Sequence, residues 1–397
     1  MQVTNYIIPL LVIPVLLNKI GLEKYGVISL ALGIANLLVG LGDYGLNLTG
    51  TREISRSPKN LQKIRRIAEN TISTRVFLSI IGFVFLLILS ELITDWRINR
   101  SVILSSYTIV IGRLLLPVWY FQGVQRMYWI TIINLGARLL YLFGLLLFVH
   151  DESDTFLVNL LNGFSWILAS GIAIAIMICQ VGRIKLILDF EKIRTNLKQN
   201  FSIFLANSTS TTYRNGSIII AGFLLGPSIL GLFSVLDRLV AIIANTASVA
   251  FRSLFPKSSE ISKNGVQFLK IKMLKVLKIG ALPVTIFSFA LLLLGPKLLP
   301  LLSEELNNEY LDRYIAIIAV LPLLLLLNIP LSLSLVSMKM DRLYLVYQLS
   351  GLFSLLLIST ILAFQYSITG LLSGFLSIEI MMILSGILIL KKKKFSI

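Results

Sequence analysis

Five arginines stand inside otherwise apolar runs of this chain: Arg75, Arg113, Arg138, Arg214 and Arg238. Three acids share that setting, Asp43, Asp237 and Glu379. If these runs cross a bilayer, each charge near the centre costs about 2.5–3.5 kcal/mol. Four central arginines facing lipid would cost more than about 10 kcal/mol together. Arg113, Arg138, Arg214 and Arg238 are therefore expected to face a wet cavity or a partner. A guanidinium keeps its charge and offers parallel donors in a planar fork, which suits phosphate. Arg113 and Arg138 divide between that role and a structural pairing in the first half of the chain. Arg75, near the start of its run, is expected to snorkel to the surface. Asp237 cannot simply neutralise Arg238, because consecutive helical residues point about 100° apart; it pairs with Arg214 across helices or binds a cation. Asp43 is a further ion-pair or cation candidate. Glu379 is the lone charge of its run and either titrates or has a structural partner elsewhere.

The elements that must hold these charges are twelve apolar runs, near 4–20, 26–46, 72–93, 102–121, 128–149, 155–178, 200–222, 230–251, 276–301, 314–336, 344–365 and 368–390. Each approaches the roughly 20 residues that a helix needs to span a bilayer. Basic residues collect in every second gap: 25 lie in or beside the gaps at 47–71, 122–127, 180–199, 252–275 and 337–343 and in the tail from Lys391, against six beside the others. The positive-inside rule makes the richer set cytoplasmic, so both termini are inside and the span count is even. Hydrophobic residues make up 56% of 397 and charged ones 14%, and the mean hydropathy is +0.87. This is the composition of a polytopic inner-membrane protein. The net charge of +17 lies mostly in cytoplasmic gaps, where it meets anionic headgroups, so nucleic acid is not the expected partner. The single Cys179 excludes an internal disulfide, and His150, the one histidine, argues against a metal site. No cleavable leader is apparent, and the first apolar run reads as a span.

A weak repeat organises the runs. Gly21–Gly26 opens the second span and Gly226–Gly231 the eighth; Arg-Glu-Ile-Ser at 52–55 and Ser-Glu-Ile-Ser at 259–262 follow each. Six intervening spans give both copies the same direction, as in two parallel halves rocking about a central cavity. The domains so read are a first lobe at 1–180, a cytoplasmic linker at 181–199 and a second lobe at 200–397. Arg214 and Arg238 fall on the first two spans of the second half, which makes them the leading cavity candidates. The gap at 47–71 predicts a short amphipathic helix, with Ile54, Leu61, Ile64 and Ile67 amid basic residues. Trp119 and Tyr120, at the end of the fourth span, form an interfacial belt or line the cavity and stack on a sugar. Pro9, Pro14, Pro283, Pro322 and Pro330 should break or bend their spans. Gly370 and Gly374 fit a close helix contact.

Together, Asn5–Pro14, Gly21–Gly26, Asp43–Asn47 with Thr51–Ser55, and Pro117–Gly123 resemble, in order and spacing, the O-antigen flippases of the polysaccharide transporter family. That family lies in the multidrug/oligosaccharidyl-lipid/polysaccharide exporter superfamily. The resemblance covers nearly the whole chain. It implies an all-α integral membrane fold of about 12 transmembrane helices in two six-helix lobes, V-shaped, with a parallel pseudo-twofold repeat. It also implies movement of polyprenyl-diphosphate-linked oligosaccharide from the inner to the outer leaflet. The cationic cavity of such proteins maps by position onto Arg214 and Arg238. No cofactor is implied; H+ or Na+ coupling would draw on Asp237, Asp43 and Glu379. Membrane lipids and other polysaccharide-assembly proteins are the further candidate partners. Almost nothing precedes the first span, where the family usually carries a short cytoplasmic leader. No Gly-x-x-x-x-Gly-Lys-Ser/Thr loop for ATP is present. A glycan polymerase or ligase would call for a sizeable external loop. A multidrug antiporter of the same superfamily is the alternative, though it would favour acidic over basic cavity residues.

Overall fold

The computed structural model describes residues 2–93, 99–186, 188–243, 266–301, 303–307, 309–337 and 340–392. In lipid, each backbone N–H and C=O must be paired within the structure, and a helix does this within one segment. Every regular element among the described residues is accordingly helical. The first helices are α1 (Gln2–Asp43), α2 (Leu46–Ser55), α3 (Leu61–Leu92), α4 (Arg100–Ser105), α5 (Tyr107–Leu115), α6 (Val118–Gly123), α7 (Met127–Phe148) and α8 (Thr155–Val181). They are followed by α9 (Phe190–Leu224), α10 (227–243), α11 (Val266–Leu298), α12 (Leu311–Ser337), α13 (Asp341–Phe353), a π-helical turn at Ser354–Ser359, and α14 (Thr360–Lys392).

Eight described stretches are long and apolar enough to cross a bilayer. Two of them carry two expected spans each. α1 breaks at Gly21, whose φ of 75° lies in the left-handed region open to glycine, between the runs at 4–20 and 26–46. α14 breaks at Ser367, with φ 54°, between the runs at 344–365 and 368–390. The run at 200–222 lies on α9. That at 230–251 begins on α10 and leaves the described residues after 243. Large apolar side chains point outward, among them Phe85 and Ile88 on α3 and Leu282 and Ile286 on α11. Such faces need lipid rather than water, and the chain is a multi-pass membrane protein.

The chain divides into two compact units, Met1–Thr211 and Thr212–Ile397. The core of the first gathers Ile54, Ile64, Trp119, Tyr120, Phe121 and Met177; that of the second gathers Leu331, Leu335, Tyr347, Leu355, Ile378 and Met382. The short helix expected over 47–71 is present in its first part, as α2 with Ile54 buried, but the rest of its apolar stripe belongs to α3. α2 ends at Ser55, and α3 begins at Leu61, where the Asn60 side chain accepts from Lys63 N at 3.0 Å. Leu61, Ile64 and Ile67 are thus the first turns of a transmembrane helix. Residues 190–199 are likewise the first turns of α9, continuous with the span that follows. Pro283, Pro322 and Pro330 sit inside α11 and α12 without ending them. Gly370 lies where an added Cβ would meet the Leu362 carbonyl at 1.9 Å, so the close helix contact there is real. The Ser-Glu-Ile-Ser copy at 259–262 lies outside the described residues.

Candidate functional site

In the first unit the charged groups sort into two kinds. Pro117 cannot continue α5, and Leu116 before it turns extended, with ψ 117°. Arg113 is left in the last turn of α5, where a cation suits the helix dipole. It donates to Asn36 Oδ1 on α1. Its guanidinium lies 6.0 Å from the ring centre of Trp166 on α8. Arg138 on α7 is close enough for the two positive charges to act on each other. Arg113 is exposed and Arg138 half-buried. Asn36 and Trp166 are both uncharged, and Arg138 adds to the positive potential around Arg113.

Arg75 is different. It does not snorkel: its side chain is 2% exposed and bonds to Asp43 Oδ1 at 2.5 Å and to the carbonyls of Leu114 and Leu116 at 2.8 and 3.3 Å. The physical reason is again Pro117. Past the end of α5 the Leu116 carbonyl accepts from Val118 N at 2.9 Å, whereas the Leu114 carbonyl has no such donor among the described residues, and the guanidinium bonds to both. Asp43, a candidate for a coupling ion or an ion pair, is the carboxylate of that pair. Lys19 on α1 plays the same part for the end of α7, donating to Val149 O at 2.5 Å and Leu146 O at 3.3 Å.

Trp119 and Tyr120 neither face the interface nor line an open cavity; this corrects both readings of them. They are 0% and 2% exposed, packed between α2 and the surrounding spans. Gly50 lets the Trp119 ring lie against α2, since an added Cβ would already stand 3.4 Å from it. The Tyr120 hydroxyl donates to Gln180 Oε1 at 2.7 Å.

In the second unit, Asp237 and Arg238 are both half-buried on α10, and their charges act on each other. The Arg214 side chain lies outside the described residues, so its pairing with Asp237 stays an expectation. Glu379, 8% exposed on α14, has the partner its isolation in sequence concealed. Asn328 Nδ2, on α12, donates to its carboxylate and, at 3.2 Å, to its backbone carbonyl. Tyr347 of α13 completes the chain, donating to Asn328 Oδ1 at 2.9 Å. Asn36, Trp166, Asn328 and Tyr347 were not singled out from the sequence. The available signal was a lone amide within an apolar run.

A family model described as polysaccharide biosynthesis protein matches residues 1–262. The chain is 27% identical over 332 residues to a protein of Escherichia coli (strain K12) named "Putative O-antigen transporter", covering 82% of this chain and 79% of that one. A protein of the same name from Shigella dysenteriae is 24% identical over 317 residues, covering 78% and 77%. Among solved structures, the lipid II flippase MurJ in an inward closed conformation aligns with a TM-score of 0.79 at 13% identity, covering 99% of this chain and 88% of that one. An inward-facing multidrug resistance MATE family transporter of the MOP superfamily aligns with a TM-score of 0.68 at 14% identity, covering 96% and 92%. At such identities the structural likeness establishes the helical fold alone. The sequence relatives are named as transporters, in keeping with a chain that carries no catalytic motif.

Proposed function

The chain belongs to the polysaccharide biosynthesis protein family, and on that premise we propose that it flips polyprenyl-diphosphate-linked O-antigen or polysaccharide repeat units across the bacterial inner membrane. In this reading both termini are cytoplasmic and the substrate moves from the cytoplasmic to the periplasmic leaflet by alternating access. The observation that carries it is the nearness of Arg113 and Arg138 within the first unit, where their charges act on each other, with the neutral Asn36 bonded to Arg113. A diphosphate loses its hydration on entering the bilayer. Fixed guanidinium groups offset that loss, while the polyprenyl tail remains in lipid. Arg214 and Arg238 are the proposed anion-binding residues of the second unit by their place in the sequence repeat, and Asp237 and Glu379 are the proposed H+ or Na+ coupling groups.

A multidrug antiporter shares the fold class, but a cation-binding cavity would carry acids where this chain carries arginines. Deleting the gene and assaying surface glycan together with lipid-linked repeat units retained inside the cell separates the readings. Loss of surface glycan with accumulation of the lipid-linked unit is expected, and complementation by Arg113→Ala or Arg238→Ala should restore less than about a tenth of it, since a charged contact is worth about 1.5–3 kcal/mol. Unchanged surface glycan with no accumulated intermediate would overturn the proposal.

A further inference from the structure

Beside the Arg75–Asp43 pair and separate from Arg113 and Arg138 in its lining, the first unit has an open groove of about 540 Å³, walled by Tyr44, Phe77, Phe190 and Phe201 and edged by Arg194 and Lys198. Phe190 and Phe201 are 69% and 50% exposed, although both are large and apolar. Phe77 holds one end of the wall, its ring edge-on to Phe190 at 5.7 Å and 89°. Tyr44 holds another, stacked on Phe204 at 4.1 Å. The two cations stand four residues apart on α9, so they share a face about 5–6 Å apart at their Cβ atoms. Neighbouring Lys192 is paired with Asp189 at 3.0 Å. Among the described residues, neither Arg194 nor Lys198 is paired with an acid.

We propose that this groove binds the diphosphate end of a single-chain isoprenoid lipid, with the phosphates on Arg194 and Lys198 and the first isoprene units along the aromatic wall. Charge complementarity calls for an anion, and four aromatic rings beside it call for an apolar tail. A volume of about 540 Å³ holds a headgroup and one chain end rather than a whole lipid, and the flippase reading makes that lipid a single-chain isoprenoid diphosphate. Residues 190–201 start the span after a basic gap, so with the termini inside the groove lies at the level of the inner-leaflet headgroups. The site would collect substrate before it reaches the arginines of the spans. This rests on the reading of the chain as a flippase of diphosphate-linked lipids.

The test uses the full chain in nanodiscs of zwitterionic lipid and a benzophenone-bearing farnesyl diphosphate analogue. After irradiation, the label should map to the peptide containing 190–201. Farnesyl diphosphate should displace it, whereas farnesol, inorganic diphosphate and added phosphatidylglycerol should not. Arg194→Gln/Lys198→Gln should lower labelling about tenfold or more, as loss of two charged contacts requires. Phe190→Ala, at an exposed position that leaves the core intact, should lower it as well. Equal labelling of the double variant, or label placed elsewhere, would overturn the proposal. So would displacement by phosphatidylglycerol, which marks a general anionic-lipid surface, or by inorganic diphosphate, which marks a free-anion site. The gene deletion reads the function separately. Lost glycan export with an unlabelled groove removes the groove alone, while a labelled groove with normal export removes the flippase reading alone.

Discussion

Arg75 joins three helices with one guanidinium, holding Asp43 at the end of α1 and two carbonyls at the end of α5 from its place on α3. Its replacement would leave the Asp43 carboxylate and the Leu114 carbonyl without this donor, the Leu116 carbonyl keeping only Val118 N. Breaking a buried pair from one side costs about 3–5 kcal/mol. Arg75→Ala is therefore expected to fold poorly, with a thermal midpoint in detergent well below wild type and little monodisperse protein. Arg75→Ala/Asp43→Asn should recover part of the loss, because the stranded charge is gone. Equal midpoints for Arg75→Ala and wild type would show that the pair carries no stability. Arg113 should behave in the opposite way. Its side chain is exposed, so Arg113→Ala should keep the wild-type midpoint while export falls about tenfold or more, and Arg113→Lys should restore only part, lacking the planar fork.

Among the elements, α5 and α8 make the approach that brings Arg113 over Trp166. Two glycines permit it. A Cβ at Gly112 would stand 2.7 Å from the backbone nitrogen of Ile167, and one at Gly163 would stand 1.7 Å from Thr108 Oγ1. A helix backbone cannot yield as a side chain does, so Gly112→Ala should cost about 1–3 kcal/mol by overpacking. Gly136→Ala, where nothing lies within 4 Å of an added Cβ, is the control and should leave the thermal midpoint unchanged or raised. An equal midpoint for the two variants would rule out the close contact. Length and hydropathy made the helices legible, since about 20 apolar residues suffice to mark a span. The breaks at Gly21 and Ser367 fell between runs already separated by pattern. Pairings across helices were not legible: Asp43 and Arg75 are 32 residues apart, Asn328 and Glu379 51, and no local spacing announces them. Trp119 illustrates the same limit. A tryptophan at the end of an apolar run looks alike in sequence whether it meets headgroups or, as here, a glycine of a neighbouring helix.

At the scale of the whole molecule, the proposed orientation and the proposed driving force draw on the same charges. By the positive-inside rule, the 25 basic residues of one set of gaps, against six in the other, lead us to propose that the tail from Lys391 is inside and the loop at Glu304 outside. A fluorescent reporter fused at the tail should be active in the cytoplasm, and a periplasmic enzyme reporter near Glu304 active outside; the reverse pattern would invert the direction of transport. With that orientation, an anion moving outward across an inside-negative membrane gains about 2.3 kcal/mol per charge per 100 mV. The proposed diphosphate headgroup carries about two negative charges, and five arginines against three acids within the spans leave a carrier of opposite, complementary sign. No nucleotide-binding loop is present to supply another source of energy. The full chain reconstituted into vesicles with a labelled polyprenyl diphosphate should therefore flip it faster when a potassium gradient and valinomycin set the interior, on the cytoplasmic side of the protein, negative. ATP should add nothing. Reversing the potential should slow the outward step, and a superimposed pH or sodium gradient should alter the rate only if Asp237 or Glu379 exchanges a cation during the cycle. A rate indifferent to potential and to both ion gradients would make the chain a passive facilitator, moving its lipid down the concentration difference between leaflets.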